Sequence, residues 1–393
     1  MNASVERADA PSCGGDESPA AVVAPQSATP GLRALRALLV APAWIGDTVL
    51  AQPLLARLQE RTPGLVIDAL APPWTAPVLA RMPQISRIFD NPFAHGALAI
   101  GERRRLGRRL AAEGYARAYV LPNSLKSALV PFFAGIPERI GFTGESRLIL
   151  LNCRHTLDGE ALPQMAERFA QLAEAPGAPL PRPLPLPRLE SSAAQQAEAL
   201  AAVGLARPTR LAVFCPGAEY GPAKRWPAEH FAHLAEELTA RGFAVWLLGS
   251  AKDHAIGETV LAAYAARRAS AGAAGAPPAD GALRNLCGAT ALAQAIDLIA
   301  LADLVVCNDS GLMHVAAALG RSQVALYGSS SPGFTPPLSP RATVLRLGLP
   351  CSPCFKRDCP LGHLDCLVKL DVDRVLKACL AALATHALVG ELA

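Results

Sequence analysis

Three glycine-containing loops carry the residues best suited to chemistry. The first, Trp44-Ile45-Gly46-Asp47, directly follows an apolar run at 34–41 (ALRALLVA) fit for a buried strand. Gly46 permits a tight turn there, and Asp47 falls at the start of the next helical stretch, 47–61. A helix N-terminus favours an ionised carboxylate. Asp47 therefore reads either as an N-cap or as a general base at the end of the first strand. The second loop, 216–226 (PGAEYGPAKRW), brings Lys224 and Arg225 to the start of a helix. Cations are unfavourable at that end unless an anion lies between them and the helix dipole. A phosphate on Lys224 resolves the conflict, and a solvated Lys-Arg pair is the plainer alternative. In the third, 307–314 (CNDSGLMH), a strand passes through Asp309, Ser310 and Gly311 into a helix opened by Leu312. Its free N–H groups suit an anion, with His314 placed to face it. A capped helix with a packed histidine would look the same. Two phosphate-competent loops in one half of the chain point to a nucleoside diphosphate. Neither is a Walker loop, and no G-x-G-x-x-G follows the first strand, which excludes an ordinary NTPase or dehydrogenase.

Two clusters stand apart. Arg103, Arg104, Arg105, Arg108 and Arg109 put five cations into seven residues. They read as a solvated helix face or as a surface for anionic lipid headgroups, at about 1 kcal/mol per charge. Cys351, Cys354, Cys359 and Cys366, with His363 nearby, have a spacing that zinc could use, but it is not that of a standard ribbon or finger. Free thiols packed in a tight loop compete with the metal reading.

The elements that must position these loops follow from pattern. Apolar runs at 66–70, 118–121, 211–215, 244–248, 304–307 and 323–327 read as strands. Helical stretches separate them, including 227–241, 293–301 and 312–319. This alternation makes an α/β protein with parallel sheets. Residues 1–33 read as a disordered extension. Residues 34–175 form one Rossmann-like domain and 208–370 a second, with a C-terminal helix over 371–393. Between the domains, 176–207 is a proline-rich linker whose 176–187 stretch (PGAPLPRPLPLP) can be neither helix nor central strand. Residues 266–281 read as a small-residue insertion and a mobile loop. Two such domains face each other across a cleft, with chemistry at the carboxyl ends of the strands.

The 393 residues hold 37 Lys plus Arg against 33 Asp plus Glu, a net charge of +4, too weak a balance for a nucleic-acid binder. Hydrophobic residues make up 51% and charged residues 18%, which excludes a disordered chain. No apolar run reaches the roughly 18 residues of a spanning helix. The N-terminus lacks a basic region followed by an apolar one. A cytoplasmic location is expected, and the ten cysteines read as thiols or ligands rather than a disulfide framework.

Taken together, WIGDTVLAQPLL at 44–55, LPNSLKSALVPFFAGIPERIGF at 121–142, FCPGAEYGPAKRWP at 214–227, CNDSGLMHVAAALG at 307–320 and CSPCFKRDCPLGHLDCL at 351–367 resemble the bacterial ADP-heptose:lipopolysaccharide heptosyltransferases, and among them the II type. The resemblance implies a GT-B fold and inverting transfer of L-glycero-D-manno-heptose from ADP-heptose to the first heptose of the inner core. Matched motif by motif, it gives Asp47 as the base and Lys224 as a diphosphate contact. Asp309, Ser310, Gly311, Leu312 and His314 become the nucleotide-sugar loop, and the Gly249-Ser250 turn with Asp253 faces the adenosine. Asn123, Lys126 and Arg103–Arg105 are expected on the acceptor side, which meets a heptose-Kdo-lipid A acceptor and, peripherally, the inner membrane. No cofactor or divalent ion is implied, because protein donors would meet the leaving group's charge. First-heptose transfer, a GT-B sugar-nucleotide epimerase and a non-catalytic nucleotide- or zinc-binding regulator are the alternatives.

Overall fold

A computed structural model of the chain describes residues 35–94, 96–270 and 282–390, with side chains as far as 384. The N-terminal extension and most of the 266–281 insertion lie outside the described residues. The part of that insertion within them, 266–270, completes the helix His254–Ser270 rather than a loop.

The first six strands are β1 (Arg36–Val40), β2 (Val66–Ala71), β3 (Ile85–Asp90), β4 (Arg117–Val120), β5 (Glu138–Phe142) and β6 (Cys153–His155). They form one parallel sheet in the order β3-β2-β1-β4-β5-β6. The second six are β7 (Leu211–Cys215), β8 (Ala244–Leu247), β9 (Leu283–Asn285), β10 (Leu304–Asn308), β11 (Gln323–Leu326) and β12 (Ala342–Leu345). Their order, β12-β11-β10-β7-β8-β9, is again parallel and repeats the topology of the first sheet. Each half is thus a doubly wound Rossmann-like sheet, as the alternating pattern predicts.

The strands read as unbroken apolar runs because helices cover both faces of each sheet. In β1, Leu38 and Leu39 point to opposite faces and enter two different cores, both without exposure. Burying each such leucine contributes about 2 kcal/mol. In β7, Val213 faces one core while Ala212 and Phe214 face the other. Strand order reverses between β1 and β4 in the first sheet and between β7 and β10 in the second. Crevices open at such reversal points, beyond the carboxyl ends of the strands. Asp47 follows β1, Lys224 follows β7 and Asp309 follows β10, so the three loops singled out by residue type sit at the crevices.

From Leu35 onward the chain clusters as one unit, and the two sheets share a continuous core. The proline-rich stretch is neither helix nor strand, as expected, whereas the rest of 176–207 contains the helix Ala193–Ala202. That segment is fastened to both halves. Gln52 bonds Arg188 through both backbone groups (2.6 and 2.7 Å), and the Leu189 N–H donates to Ala318 O (2.9 Å). Asp297 receives Arg81 and Ser191, each at 2.7 Å. The C-terminal helix Val372–Gly390 packs Val375 and Cys379 into the second core. Among the described residues, no helix is long and apolar enough to cross a membrane.

Candidate active site

Two helices meet end to end across the cleft: Ile45–Leu50 after β1 and Gly311–Ala318 after β10. Both starts need a glycine. A Cβ on Gly46 would lie 2.8 Å from His314 Cδ2, and one on Gly311 would lie 2.8 Å from Ile45 Cβ. Gly46 is therefore helical and conserves space for the His314 ring, rather than making a tight turn. Trp44, not Asp47, is the N-cap residue, and Asp47 stands in the first turn. The capping reading of Asp47 fails. Among the described residues, no hydrogen bond or ion pair engages its carboxyl.

That freedom sets its chemistry. Burial in the cleft pushes the Asp47 carboxyl up to about 6, Lys224 pulls it back, and the charge of Asp309 pushes it further. Such a group is ionised at neutral pH yet more basic than an ordinary carboxylate, which suits a general base. His314 is buried, and desolvation pushes its imidazole down to about 4, against the pull of Asp309. It stands neutral in the cleft, with its buried Nδ1 unpartnered among the described residues.

Lys224 Nζ donates to Asp309 Oδ2 at 2.6 Å, tying the second loop to the third. Sequence reasoning passed over Asn308, which holds the Lys224 loop at both ends. Its Oδ1 accepts the Trp226 N–H (3.0 Å), and its Nδ2 donates to Pro216 O (2.8 Å). The only signal in the sequence is an amide side chain at the last residue of an otherwise apolar strand. Ser310 makes no side-chain cap, so the first N–H groups of the helix Gly311–Ala318 keep their capacity for an anion.

The remaining candidates divide. Gly249 and Ser250 end the β8 segment as expected, but the Asp253 carboxylate turns inward. It accepts Ser250 N and Oγ (2.9 and 2.8 Å) and fills the space that Gly217 and Gly249 leave without side chains. Asp253 thereby braces the turn. Arg103 is a correction: it is 5% exposed, lies 3.9 Å over the Phe93 ring, and donates to Leu98 O and Ala97 O. Its guanidinium holds the chain entering the helix Ile100–Ala111 and turns away from the exposed cationic face on which it was expected. Arg104, Arg105, Arg108 and Arg109 are exposed on that helix. Asn123 is exposed and its Oδ1 accepts from the buried Arg147 (2.9 Å), while Lys126 is half-buried.

The zinc reading of Cys351, Cys354, Cys359 and Cys366 finds no ligand set. These are free thiols beside a cavity of about 20 Å³, and among the described residues no three ligating groups are placed to hold a metal. The Leu364 N–H donates to Cys359 Sγ at 3.4 Å and lowers that thiol from its ordinary range.

The model of glycosyltransferase family 9 (heptosyltransferase) matches residues 103–365. The chain belongs to this family. It is 47% identical over 348 residues to lipopolysaccharide heptosyltransferase 2 of Escherichia coli K12, covering 87% of this chain and 97% of that protein. The same named protein of Salmonella typhimurium is 46% identical over equal shares. Among solved structures, E. coli ADP-heptose LPS heptosyltransferase II superposes with a TM-score of 0.78 at 44% identity, over 90% of this chain and all of that one. This family 9 member is a glycosyltransferase of the heptosyltransferase 2 kind with the GT-B architecture. The epimerase and the non-catalytic regulator are not favoured.

Proposed function

We propose that this glycosyltransferase moves L-glycero-D-manno-heptose from ADP-heptose to the first heptose of the lipopolysaccharide inner core, inverting the anomeric carbon. The observation that carries the chemistry is Asp47. It is a cleft carboxylate with no hydrogen-bond or ion-pair partner among the described residues, raised to about 6, near the Lys224–Asp309 pair. In the reaction the acceptor hydroxyl oxygen attacks the anomeric carbon as its proton passes to Asp47. The bond from that carbon to the diphosphate oxygen breaks, and ADP leaves with the electron pair. Lys224 and the N–H groups at Gly311 meet the charge growing on the leaving phosphate. Neutral His314 keeps a second positive charge away from Asp47, which would otherwise lose basicity.

The acceptor side is read from charge. Arg104, Arg105, Arg108 and Arg109 present an exposed cationic face, with Leu98 and Ile100 exposed at the same helix entrance. This combination suits the phosphorylated headgroup of a heptose-Kdo-lipid A acceptor and peripheral contact with the cytoplasmic face of the inner membrane. Charge reversal at Arg104 and Arg105 is expected to raise the acceptor KM and leave the donor KM unchanged.

The deciding experiment incubates the protein with ADP-heptose and heptosyl-Kdo-lipid A and follows product by mass spectrometry. A singly heptosylated product supports the reading. Heptosylation of Kdo-lipid A lacking heptose, or an isomerised donor with no transfer, would overturn it.

A further inference from the structure

The 351–366 segment is the motif that heptosyl transfer leaves without a role, and its backbone is fastened to the Lys224 loop. Tyr220 Oη donates to Phe355 O (2.7 Å), and the Ala223 N–H donates to Arg357 O (2.9 Å). Gly221 makes the second bond possible, since a Cβ there would fall 2.5 Å from that same carbonyl oxygen. From the other side, Phe355 N–H donates to Ser329 O (2.7 Å) and Ser352 Oγ to Gly328 O (2.6 Å). The segment is held from the loops after both β7 and β11, and what it delivers between them is Arg357.

The Arg357 guanidinium lies 5.3 Å from the centroid of the Tyr220 ring, and Lys224 Nζ lies 5.1 Å from the same centroid. Two cations share one aromatic ring beside the phosphate loop. Lys224 has Asp309 at 2.6 Å. Among the described residues, Arg357 has no carboxylate at ion-pair distance and no side-chain hydrogen bond. Asp309 offsets Lys224, which leaves Arg357 as the cation beside the ring without a counterion among the described residues. The planar fork of a guanidinium is the side chain best shaped to hold an oxyanion by two bonds. The exposed Arg357 side chain is restrained by its contact with the ring before a ligand arrives, lowering the ordering cost of binding.

We propose that Arg357 is a second oxyanion contact of the active site, binding a phosphate-type anion beside Lys224. The proposal rests on the reading of Lys224 as a diphosphate contact. The anion can belong to the donor's diphosphate or to a phosphate or carboxylate of the acceptor. Two measurements on the full chain separate the sources: calorimetric titration with ADP alone, and steady-state kinetics with heptosyl-Kdo-lipid A varied.

If the donor supplies the anion, Arg357→Ala weakens ADP binding about tenfold and makes it less sensitive to salt. If the acceptor supplies it, ADP binding is unchanged and the acceptor KM rises about tenfold. In either case Arg357→Lys recovers part of the loss, which a merely structural role for the loop would not produce. ADP affinity and acceptor KM both unchanged in Arg357→Ala would overturn the proposal. Lys224→Ala is the control. Loss of ADP binding there but no effect of Arg357→Ala refutes Arg357 alone, and no effect of either refutes the diphosphate reading beneath it.

Discussion

Asp47 and Asp68 are two carboxylates of the first half, one in the helix just past the carboxyl end of β1 and one inside the neighbouring β2, and the protein treats them in opposite ways. Asp68 is fully buried in the middle of β2, opposite Leu38 of β1. Its Oδ2 accepts from Arg36, from Arg87 (2.9 Å) and from Tyr115 (2.7 Å). Burial pushes that carboxyl up, but these partners outweigh it and hold it below its ordinary range. Asp47, past the carboxyl end of β1, has burial without a hydrogen-bond or ion-pair partner among the described residues and stands at about 6. The first is a charge consumed in holding the fold. The second is a charge left over, at a cost to stability, and such surplus is where chemistry is found.

The contrast can be broken by substitution, and the largest effect is expected at the cleft. Asp47→Asn should lower kcat by about 10³-fold, within the range for loss of a general base, with ADP affinity preserved. The same variant should be more stable than the wild type at pH 8, by about 1–3 kcal/mol after allowing for water at a half-buried site. The sign follows from linkage. A carboxyl raised on folding favours the protonated native state, so stability is lost as pH rises from about 4 through about 6. The stability gain of Asp47→Asn should accordingly vanish below pH 4 in chemical denaturation.

Next in size, Asp68→Asn should cost about 3 kcal/mol, because two arginines lose their shared carboxylate. The folded fraction should keep the wild-type kcat. Here the pH sign is reversed: the depressed carboxyl stabilises above its unfolded value and loses that contribution as pH falls below about 4. The smallest of the three concerns the contact between the halves. Gly46→Ala drives a methyl into the His314 ring, so the helix ends must separate by a few tenths of an ångström. A cost of about 1–2 kcal/mol of stability is expected, read as a lower unfolding midpoint in chemical denaturation.

The central strands were legible because each is an apolar run closed by Gly, Pro or a polar residue. β1, β2, β4, β7, β8, β10 and β11 fall within one or two residues of the runs that mark them. β3, β6, β9 and β12 were not, for a physical reason: they are sheet edges, covered less completely. β3 carries exposed Ser86 and Arg87, and β6 and β9 span three residues each. β5, Glu138–Phe142, lies inside the sheet but opens on two half-buried charges, which break up its apolar run.

At the site, Asp47, Lys224, Asp309 and His314 could be chosen from residue type and position after a strand. What spacing cannot show is contact across the cleft: the Gly46–His314 fit, the Lys224–Asp309 bond and the double clamp by Asn308. Arg103 shows the converse. In a run of five arginines nothing in the sequence marks the one that faces inward; in the structure the Phe93 ring beneath its guanidinium and the carbonyls of Ala97 and Leu98 set it apart.

The claim that most needs testing is that the unpartnered carboxylate of Asp47 takes the acceptor's proton. The direct measurement is the pH dependence of kcat/KM for the acceptor, in the wild type and in Asp47→Asn. The expected result is a tenfold fall per pH unit below an inflection near 6, with the Asp47→Asn rate low and flat across the same range. A wild-type profile flat from neutral pH down through 5, or an Asp47→Asn variant that keeps both the rate and the inflection, would contradict it.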